Sequence, residues 1–183
     1  MNLPSIALSL QRFSYRFADE VLNSRLALKR QVEELLTAEC DPSQMSRGGF
    51  NSIIRKRFVE AGWEDQPLVF GDPQDPSARM DFLKDRIGVE VQFGHSSFLG
   101  IDVLKLQIGS YSALNRIDVG IYVVTTNRFQ RTMVTKYNQN WSGGSLSFEK
   151  VSRYLPHFKS AIQIPIYGYR YSVRGSATYH AAV

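Results

Sequence analysis

The sequence predicts one α/β domain in which a central mixed β-sheet is flanked by helices. Two observations favour this fold class. Helical periodicity dominates the N-terminal third, and two apolar strands further along the chain are separated by a segment with the helical period. A chain of 183 residues is also long enough to bury one sizeable core without disulfides. We therefore expect residues 1–183 to form a single domain.

The N-terminal part, residues 1–62, is expected to be helical. In ADEVLNSRLALKRQVEELLTAE, which begins at Ala18, apolar residues recur close to the helical period. Asp41, Pro42 and Ser43 are residues that end such a pattern. The stretch GGFNSIIRKRFVEAGW predicts a second helix with an apolar stripe, and the Pro-, Asp- and Gly-rich residues 70–78 predict a loop.

The strands are expected in the second half of the chain. IGVEVQF alternates in polarity, and RIDVGIYVVTT is β-branched and apolar on both faces, as in a strand covered on each side. Between them, FLGIDVLKLQIGSYSAL has the length and period of a helix, so the order strand, helix, strand predicts a parallel crossover. From Phe148 onward we expect a short helix and the strand AIQIPIYGYRY, followed by a frayed tail at residues 172–183.

Composition narrows the class of protein. Cys40 is the only cysteine, which excludes an internal disulfide and suits a reducing cytoplasm. The sequence shows no basic leader and no window of about 20 apolar residues, so we expect a soluble cytoplasmic protein without a membrane partner. Lys and Arg number 22 against 17 Asp and Glu, and the net charge of +5 favours a polyanionic partner.

The stretch MDFLKDRIGVEVQFG predicts a hairpin within residues 79–94 that carries the chemistry. A turn at Lys84-Asp85-Arg86-Ile87 sets Asp81 opposite Glu90. The polar face of this hairpin is then formed by Asp81, Glu90, Gln92 and Arg79, and the apolar face by Met80, Phe82, Val89 and Val91.

Two carboxylates on one face of a hairpin repel each other, and a divalent cation offsets that repulsion. Mg²⁺ suits such a site because it prefers hard oxygen ligands and uses one or two protein carboxylates. The alternative is that Asp81 caps a turn while Glu90 and Gln92 face solvent on an edge strand.

An acid before a turn, followed by a strand that reads acid-x-Lys, is the signature of the PD-(D/E)XK nucleases. Here Gln92 stands where that signature has Lys, and DFLKDRIGVEVQFG resembles the BglII/BstYI group of type II restriction endonucleases, which has Gln there. IDVGIYVV resembles that group's central strand, SGGSLSFEK its loop and helix after the recognition segment, and ADEVLN its first helix. The resemblance covers most of the chain after Ala18.

The resemblance implies a BamHI-like, restriction-endonuclease-like core and a homodimer that clasps double-stranded DNA. It implies Mg²⁺-dependent hydrolysis of both strands at a palindromic, GATC-centred site, leaving 5′ overhangs. By position, Asp81, Glu90 and the Val91 carbonyl become metal ligands, with Asp81, Glu90 and Gln92 as the catalytic residues. Because Gln cannot act as a base, Gln92 is expected to orient the attacking water while the metal activates it.

Two polar segments are expected to contact DNA through base edges and phosphates. The first is His95, Ser96 and Ser97, directly after the catalytic strand, although His95 is also a candidate cap for the helix that follows. The second is a recognition loop at residues 125–147, for which an ordinary surface loop is the alternative. The remaining candidates for DNA contact are Arg79, Lys84, Arg128, Arg131, Lys136, Asn138, Asn140, Ser142 and Gly143.

Three other functions compete with restriction. One is a nuclease of the same superfamily that acts in repair or junction resolution and selects DNA shape. Another is a non-catalytic DNA-binding module, against which the paired acids count, because without a metal they would repel phosphate. The last is a structural or interaction protein in which the basic charge is incidental.

Overall fold

The computed structural model describes residues 8–71, 74–75, 78–111, 115–141 and 143–173. The strands are β1 (Leu8–Tyr15), β2 (Glu64–Asp65), β3 (Phe82–Lys84), β4 (Ile87–Val91), β5 (Val119–Thr125) and β6 (Ile166–Val173). The α-helices are α1 (Ala18–Asn23), α2 (Leu26–Thr37), α3 (Arg47–Glu60), α4 (Leu99–Ser110), α5 (Asn127–Tyr137) and α6 (Phe148–Tyr154). Within these ranges, no helix combines the length and apolar character needed to cross a membrane.

One mixed sheet organises the fold, with the strand order β1-β6-β5-β4-β3-β2. β5 pairs in parallel with β4 and β6, whereas β1, β3 and β2 join through antiparallel pairs. The chain runs from β4 through α4 to β5, which confirms the predicted crossover and the predicted mixed sheet.

Each face of the sheet packs against helices to form its own hydrophobic core. On one face, Phe50, Ile54 and Phe58 of α3 pack with residues of α1, α2 and α5. On the other, Val103 and Leu106 of α4 pack with residues of α6. The central strand β5 is buried along its whole length, as expected for a parallel strand with helices on both sides.

The N-terminal prediction was wrong in two places. Residues 8–15 form a strand, β1, which pairs with β6 along its full length. The long predicted helix is two helices that break at Ser24 and Arg25, because the Arg25 side chain turns away to form an ion pair with Asp118 and to donate to the Asp85 carbonyl. These tertiary contacts hold Arg25 out of helical geometry.

The recognition segment and the tail also differ from expectation. Residues 125–147 are not a continuous loop, since the segment holds the end of β5 and the helix α5. Thr126 starts α5 by accepting a hydrogen bond from the Phe129 amide to its Oγ1, at 3.1 Å. β6 begins later than predicted and continues to Val173, so residues 172–173 belong to the strand, while 174–183 lie outside the described residues.

Candidate active site

The hairpin β3–β4 closes with the two-residue turn that the sequence predicts. Lys84 pairs with Ile87, and Asp85 and Arg86 between them have φ values of 45° and 65°. Positive φ at both central residues gives the turn a twist that matches the flanking strands. Arg86 is held there by hydrogen bonds from its guanidinium to the Asp118 carboxylate, at 2.9 Å from Nε to Oδ1.

The polar and apolar faces of the hairpin do not extend as far as predicted. The β3–β4 ladder ends at the pair Phe82 and Val89, so Asp81 lies one residue before it. Residues 79 and 80 pair instead with residues 67 and 68, which turns Met80 into the core beside α4, opposite to Phe82. The β3–β4 ladder therefore stops before Asp81, and a cleft lined by Asp81, Val91 and residues of α3 adjoins this opening between the two strands.

Asp81 is held at this opening by its neighbours. Its Oδ2 accepts a hydrogen bond from the Val91 amide at 2.7 Å, and its Oδ1 accepts one from Gln66 Nε2 at 3.3 Å. A cleft beside it is lined by Asn51, Ser52 and Arg55 of α3, which sequence reasoning did not select. Burial raises the pKa of the Asp81 carboxyl to about 6, against the lowering effect of the Val91 hydrogen bond.

Glu90 lies in the middle of the buried strand β4 and is 3% exposed. Its Oε2 accepts a hydrogen bond from Lys105 Nζ at 2.9 Å. Its Oε1 has no hydrogen-bond partner anywhere in the described part of the chain, although it is buried. Burial raises the pKa of the Glu90 carboxyl well above its ordinary value, and repulsion from Asp81 raises it further.

Lys105 and Asp102 of α4 complete a buried charged network that sequence reasoning missed. Lys105 Nζ lies 3.3 Å from Asp102 Oδ1 and donates to the Arg79 carbonyl at 3.1 Å. Asp102 Oδ2 accepts a hydrogen bond from Tyr122 of β5 at 3.1 Å. Burial lowers the pKa of Lys105, but attraction to Glu90 and Asp102 outweighs it, so the pKa is raised and the ammonium stays charged.

Gln92, which was expected to orient the attacking water, uses both ends of its amide within the protein. Its Nε2 donates to Asp102 Oδ2 at 2.8 Å, and its Oε1 accepts from the Gly94 amide at 2.7 Å. The structure therefore connects Gln92 to the Asp102 and Lys105 network. A catalytic role for Gln92 stays a prediction.

The donor set at this opening fits a hard divalent cation. A buried carboxylate oxygen without a partner, Glu90 Oε1, lies in a site whose other acid, Asp81, is close enough to raise the pKa of Glu90. Among the described residues no group of three or more His, Cys, Asp and Glu side chains could hold a metal. Two carboxylates with a backbone carbonyl such as that of Val91 would leave several positions for water, as Mg²⁺ prefers.

The two segments predicted to contact DNA come together after the site. The Ser96 amide donates to the Gly144 carbonyl at 2.9 Å, and His95 forms an isolated β-bridge with Ser145. His95 also caps the short 3-10 helix Ser96–Phe98, since its Nδ1 accepts from the Ser97 amide at 3.2 Å. The capping alternative is therefore confirmed, and the opposite edge of the His95 ring, with Cδ2 and Nε2, lies next to Gly144.

The other candidate DNA contacts lie on different surfaces. Arg128, Arg131 and Lys136 are exposed on α5, followed by the exposed residues Asn138, Asn140 and Gly143. Ser142 lies outside the described residues. On the hairpin side, Lys84 donates to the Ala61 carbonyl and Arg79 to the Gln66 carbonyl, each at 2.8 Å, so both side chains are bound within the protein.

Comparison with known proteins bears on the fold and the family of this chain. No curated protein sequence matches the chain. The crystal structure of restriction endonuclease BglII complexed with a DNA 16-mer matches with a TM-score of 0.68 and 19% identity, covering 88% of this chain and 75% of that one. Free BglII matches with a TM-score of 0.59 and 21% identity, covering 88% and 78%. These likenesses show the fold.

A family model shows the family as well as the fold. The model of the BglII/BglIII restriction endonucleases matches residues 10–168, which include both strands of the hairpin, the helix α4 and the segment with α5. The match spans most of the chain and all of the residues at the opening between β3 and β4. The chain belongs to the BglII/BglIII restriction endonuclease family.

Proposed function

We propose that this protein is a type II restriction endonuclease that hydrolyses phosphodiester bonds in both strands of double-stranded DNA. The observation that carries the proposal is the buried, unpartnered Oε1 of Glu90 beside Asp81. An acidic site of this kind repels phosphate unless a cation bridges them, so we propose Mg²⁺ as the cofactor. A bound divalent cation supplies activation of the attacking water and neutralises charge that develops on the phosphoryl oxygens.

The chain's own residues provide the geometry of this reaction. Asp81 is fixed by the Val91 amide and Glu90 by Lys105, so both carboxylates are oriented by partners of known position. Asn51 and Ser52 line the cleft beside Asp81 and are suited to contact a phosphate that enters it, next to Arg55, whose guanidinium is bound to Asp65. Gln92, which follows β4, donates a hydrogen bond to Asp102 of α4 and so links the end of that strand to the helix.

For the DNA site we propose a GATC-centred palindrome, cut to leave 5′ overhangs. The support is the resemblance of the hairpin and of the Ser142–Lys150 stretch to the BglII/BstYI group. His95, Ser96 and Ser97 meet the end of the 125–147 segment next to the catalytic strand, where base-reading residues would have to lie. The exposed Arg128, Arg131 and Lys136 on α5 are suited to phosphate contacts.

We also propose that the protein acts as a homodimer, because a palindrome presents two equivalent half-sites to a two-fold axis. Leu104 on α4 is 44% exposed, and Tyr111, the residue directly after α4, is 58% exposed. Phe98, just before α4, is 50% exposed. Exposed apolar side chains on and next to α4 are a suitable contact for a second copy. The cytoplasm stays the expected location.

Digestion of a sequenced plasmid tests the proposed function. The purified chain with Mg²⁺ should give discrete bands whose ends map to one palindrome and carry 5′ overhangs. Nicking that depends on DNA structure would support the repair nuclease instead. DNA binding of equal affinity with and without Ca²⁺, without cleavage in Mg²⁺, would support the non-catalytic module.

A further inference from the structure

Lys105 is the cation that offsets the two acids of the site, and it comes from a helix rather than from the catalytic strand. β4 carries no positive charge, and the residue that follows it, Gln92, has a neutral amide. We infer that Lys105 of α4 is a positioning residue that turns Glu90 so that Oε1 faces the metal. The inference rests on the proposed nuclease function and assigns one more residue to its site.

The contacts of Lys105 favour a positioning role over an incidental ion pair. Nζ engages one oxygen of Glu90 and leaves the other without a partner. Its remaining contacts are the Asp102 carboxylate and the Arg79 carbonyl, so an ammonium with three donors has three acceptors around it. The side chain is 9% exposed and cannot exchange these partners for bulk water.

Asp102 is itself held by two hydrogen bonds, which makes the contacts of Lys105 and Glu90 rigid. Its Oδ2 accepts from Gln92, the residue directly after β4, and from Tyr122 of β5, so both hold the carboxylate that orients Lys105. Residues that hydrogen-bond to a metal-ligating side chain fix the orientation of that side chain, and mutating them changes metal affinity about 10- to 100-fold. The chain of contacts therefore runs from β5 through α4 back to Glu90.

The charge balance of the buried group also suits a divalent cation. Asp81, Glu90 and Asp102 are three carboxylates, and Lys105 is the one ammonium bonded to this group among the described residues. The net charge of the ionised group is −2, which one divalent cation neutralises. Without Lys105 the same buried space would hold three acids, and Glu90 would lose the contact that holds its Oε2 and leaves Oε1 available.

Calorimetric titration of the full chain with Ca²⁺ tests the inference, because it measures metal binding separately from cleavage. Lys105→Met should weaken Ca²⁺ binding about 10- to 100-fold. Lys105→Arg, which keeps the charge and can donate to the same oxygens, should recover most of the affinity. If Lys105 instead competes with the metal for Glu90, Lys105→Met would bind Ca²⁺ more tightly than the wild type, and the inference would be wrong.

Lys29→Met is the matched control. Lys29 also forms an ion pair with a carboxylate, Asp19, at 2.5 Å and is 12% exposed, but it lies on α2 away from the site. This variant should bind Ca²⁺ with unchanged affinity. Circular dichroism verifies that each variant is folded. If Lys105→Met does not fold, the variant Asp102→Asn replaces it as the test. This variant removes the charge that orients Lys105 and should therefore weaken Ca²⁺ binding. Unchanged Ca²⁺ affinity in Asp102→Asn would overturn the inference.

Plasmid cleavage in Mg²⁺ separates this inference from the function on which it rests. Lys105→Met should lower kcat at saturating Mg²⁺, and Lys105→Arg should restore it. A wild-type chain that neither binds Ca²⁺ nor cleaves DNA would overturn the proposed function itself. A wild type that does both, together with a Lys105→Met variant unchanged in Ca²⁺ affinity and kcat, would overturn only the role of Lys105.

Discussion

Replacing Asp81 with Asn should stabilise the metal-free protein while it destroys the proposed site. Asn keeps the shape of the side chain and can still accept the Val91 hydrogen bond, but it carries no charge into the buried site. The pKa of Asp81 is raised from the ordinary 3.8 to about 6, mainly by burial. Each unit of pKa difference between the folded and unfolded chains corresponds to about 1.4 kcal/mol of unfolding free energy.

The sign of the pH dependence follows from that raised value. Between the ordinary pKa and about 6, the folded chain holds a proton on Asp81 that the unfolded chain has lost. The free energy of unfolding therefore falls as the pH rises through this window, and the full cost, about 3 kcal/mol, is present above it. Asn still has to be desolvated and loses the attraction of Lys105, so we expect Asp81→Asn to gain about 1–3 kcal/mol at neutral pH.

Urea unfolding in EDTA, followed from pH 4 to pH 8, measures this difference. The advantage of Asp81→Asn should be absent near pH 4 and reach its full size above about pH 6. Added Ca²⁺ should stabilise the wild type and leave the variant unchanged. If Asp81→Asn is no more stable than the wild type near pH 8 in EDTA, the ionised Asp81 does not lower the free energy of unfolding, and the prediction is wrong.

Three further predictions concern cleavage, DNA contact and assembly. Glu90→Ala should abolish plasmid cleavage while a cognate duplex still binds in a gel-shift assay; retained cleavage would contradict the site. Arg131→Ala should weaken DNA binding and reduce the slope of log affinity against log salt by about one. The control is Arg12→Ala: Arg12 lies on the outer strand β1 and is paired with Glu33 of α2, so this variant should keep both the affinity and the slope. Leu104→Glu should shift the protein from dimer to monomer in light scattering, and an unchanged mass would exclude α4 as the contact.

The hairpin β3–β4 and the crossover are predictable because the residues that define them are neighbours in sequence. The turn at Asp85 and Arg86 follows from the alternation on either side of it, and Lys84 pairs with Ile87 as expected. The strand β5 is recognisable because burial on both faces leaves it apolar throughout. Local pattern is thus enough to find Asp81 and Glu90.

Elements that depend on distant partners are harder to predict. β1 is a strand because β6 supplies its hydrogen bonds, from Leu8 paired with Val173 to Tyr15 paired with Ile166. The periodicity of residues 8–15 alone does not predict this pairing. The helix α5 carries a signal that was available, since Phe129 and Met133 recur four residues apart after a Thr cap. Its polar exposed face made the segment resemble a loop.

The network around Glu90 shows why the site itself is only partly predictable. Asp102 and Lys105 are three residues apart within an apolar helix, and charged residues at buried positions of such a helix are a usable signal. Their partners, however, are set by the packing of α4 against β4 and β5. The contact of Lys105 with Glu90 emerges only when the fold places them together.

Anomalous diffraction from crystals soaked in Mn²⁺ tests the central claim most directly, because it locates the ion without reference to activity. The account predicts a peak at the opening between β3 and β4, within coordination distance of Asp81 and of Glu90 Oε1, with Lys105 still on Oε2. Absence of a peak, with the two carboxylates turned apart in the soaked crystals, would contradict it.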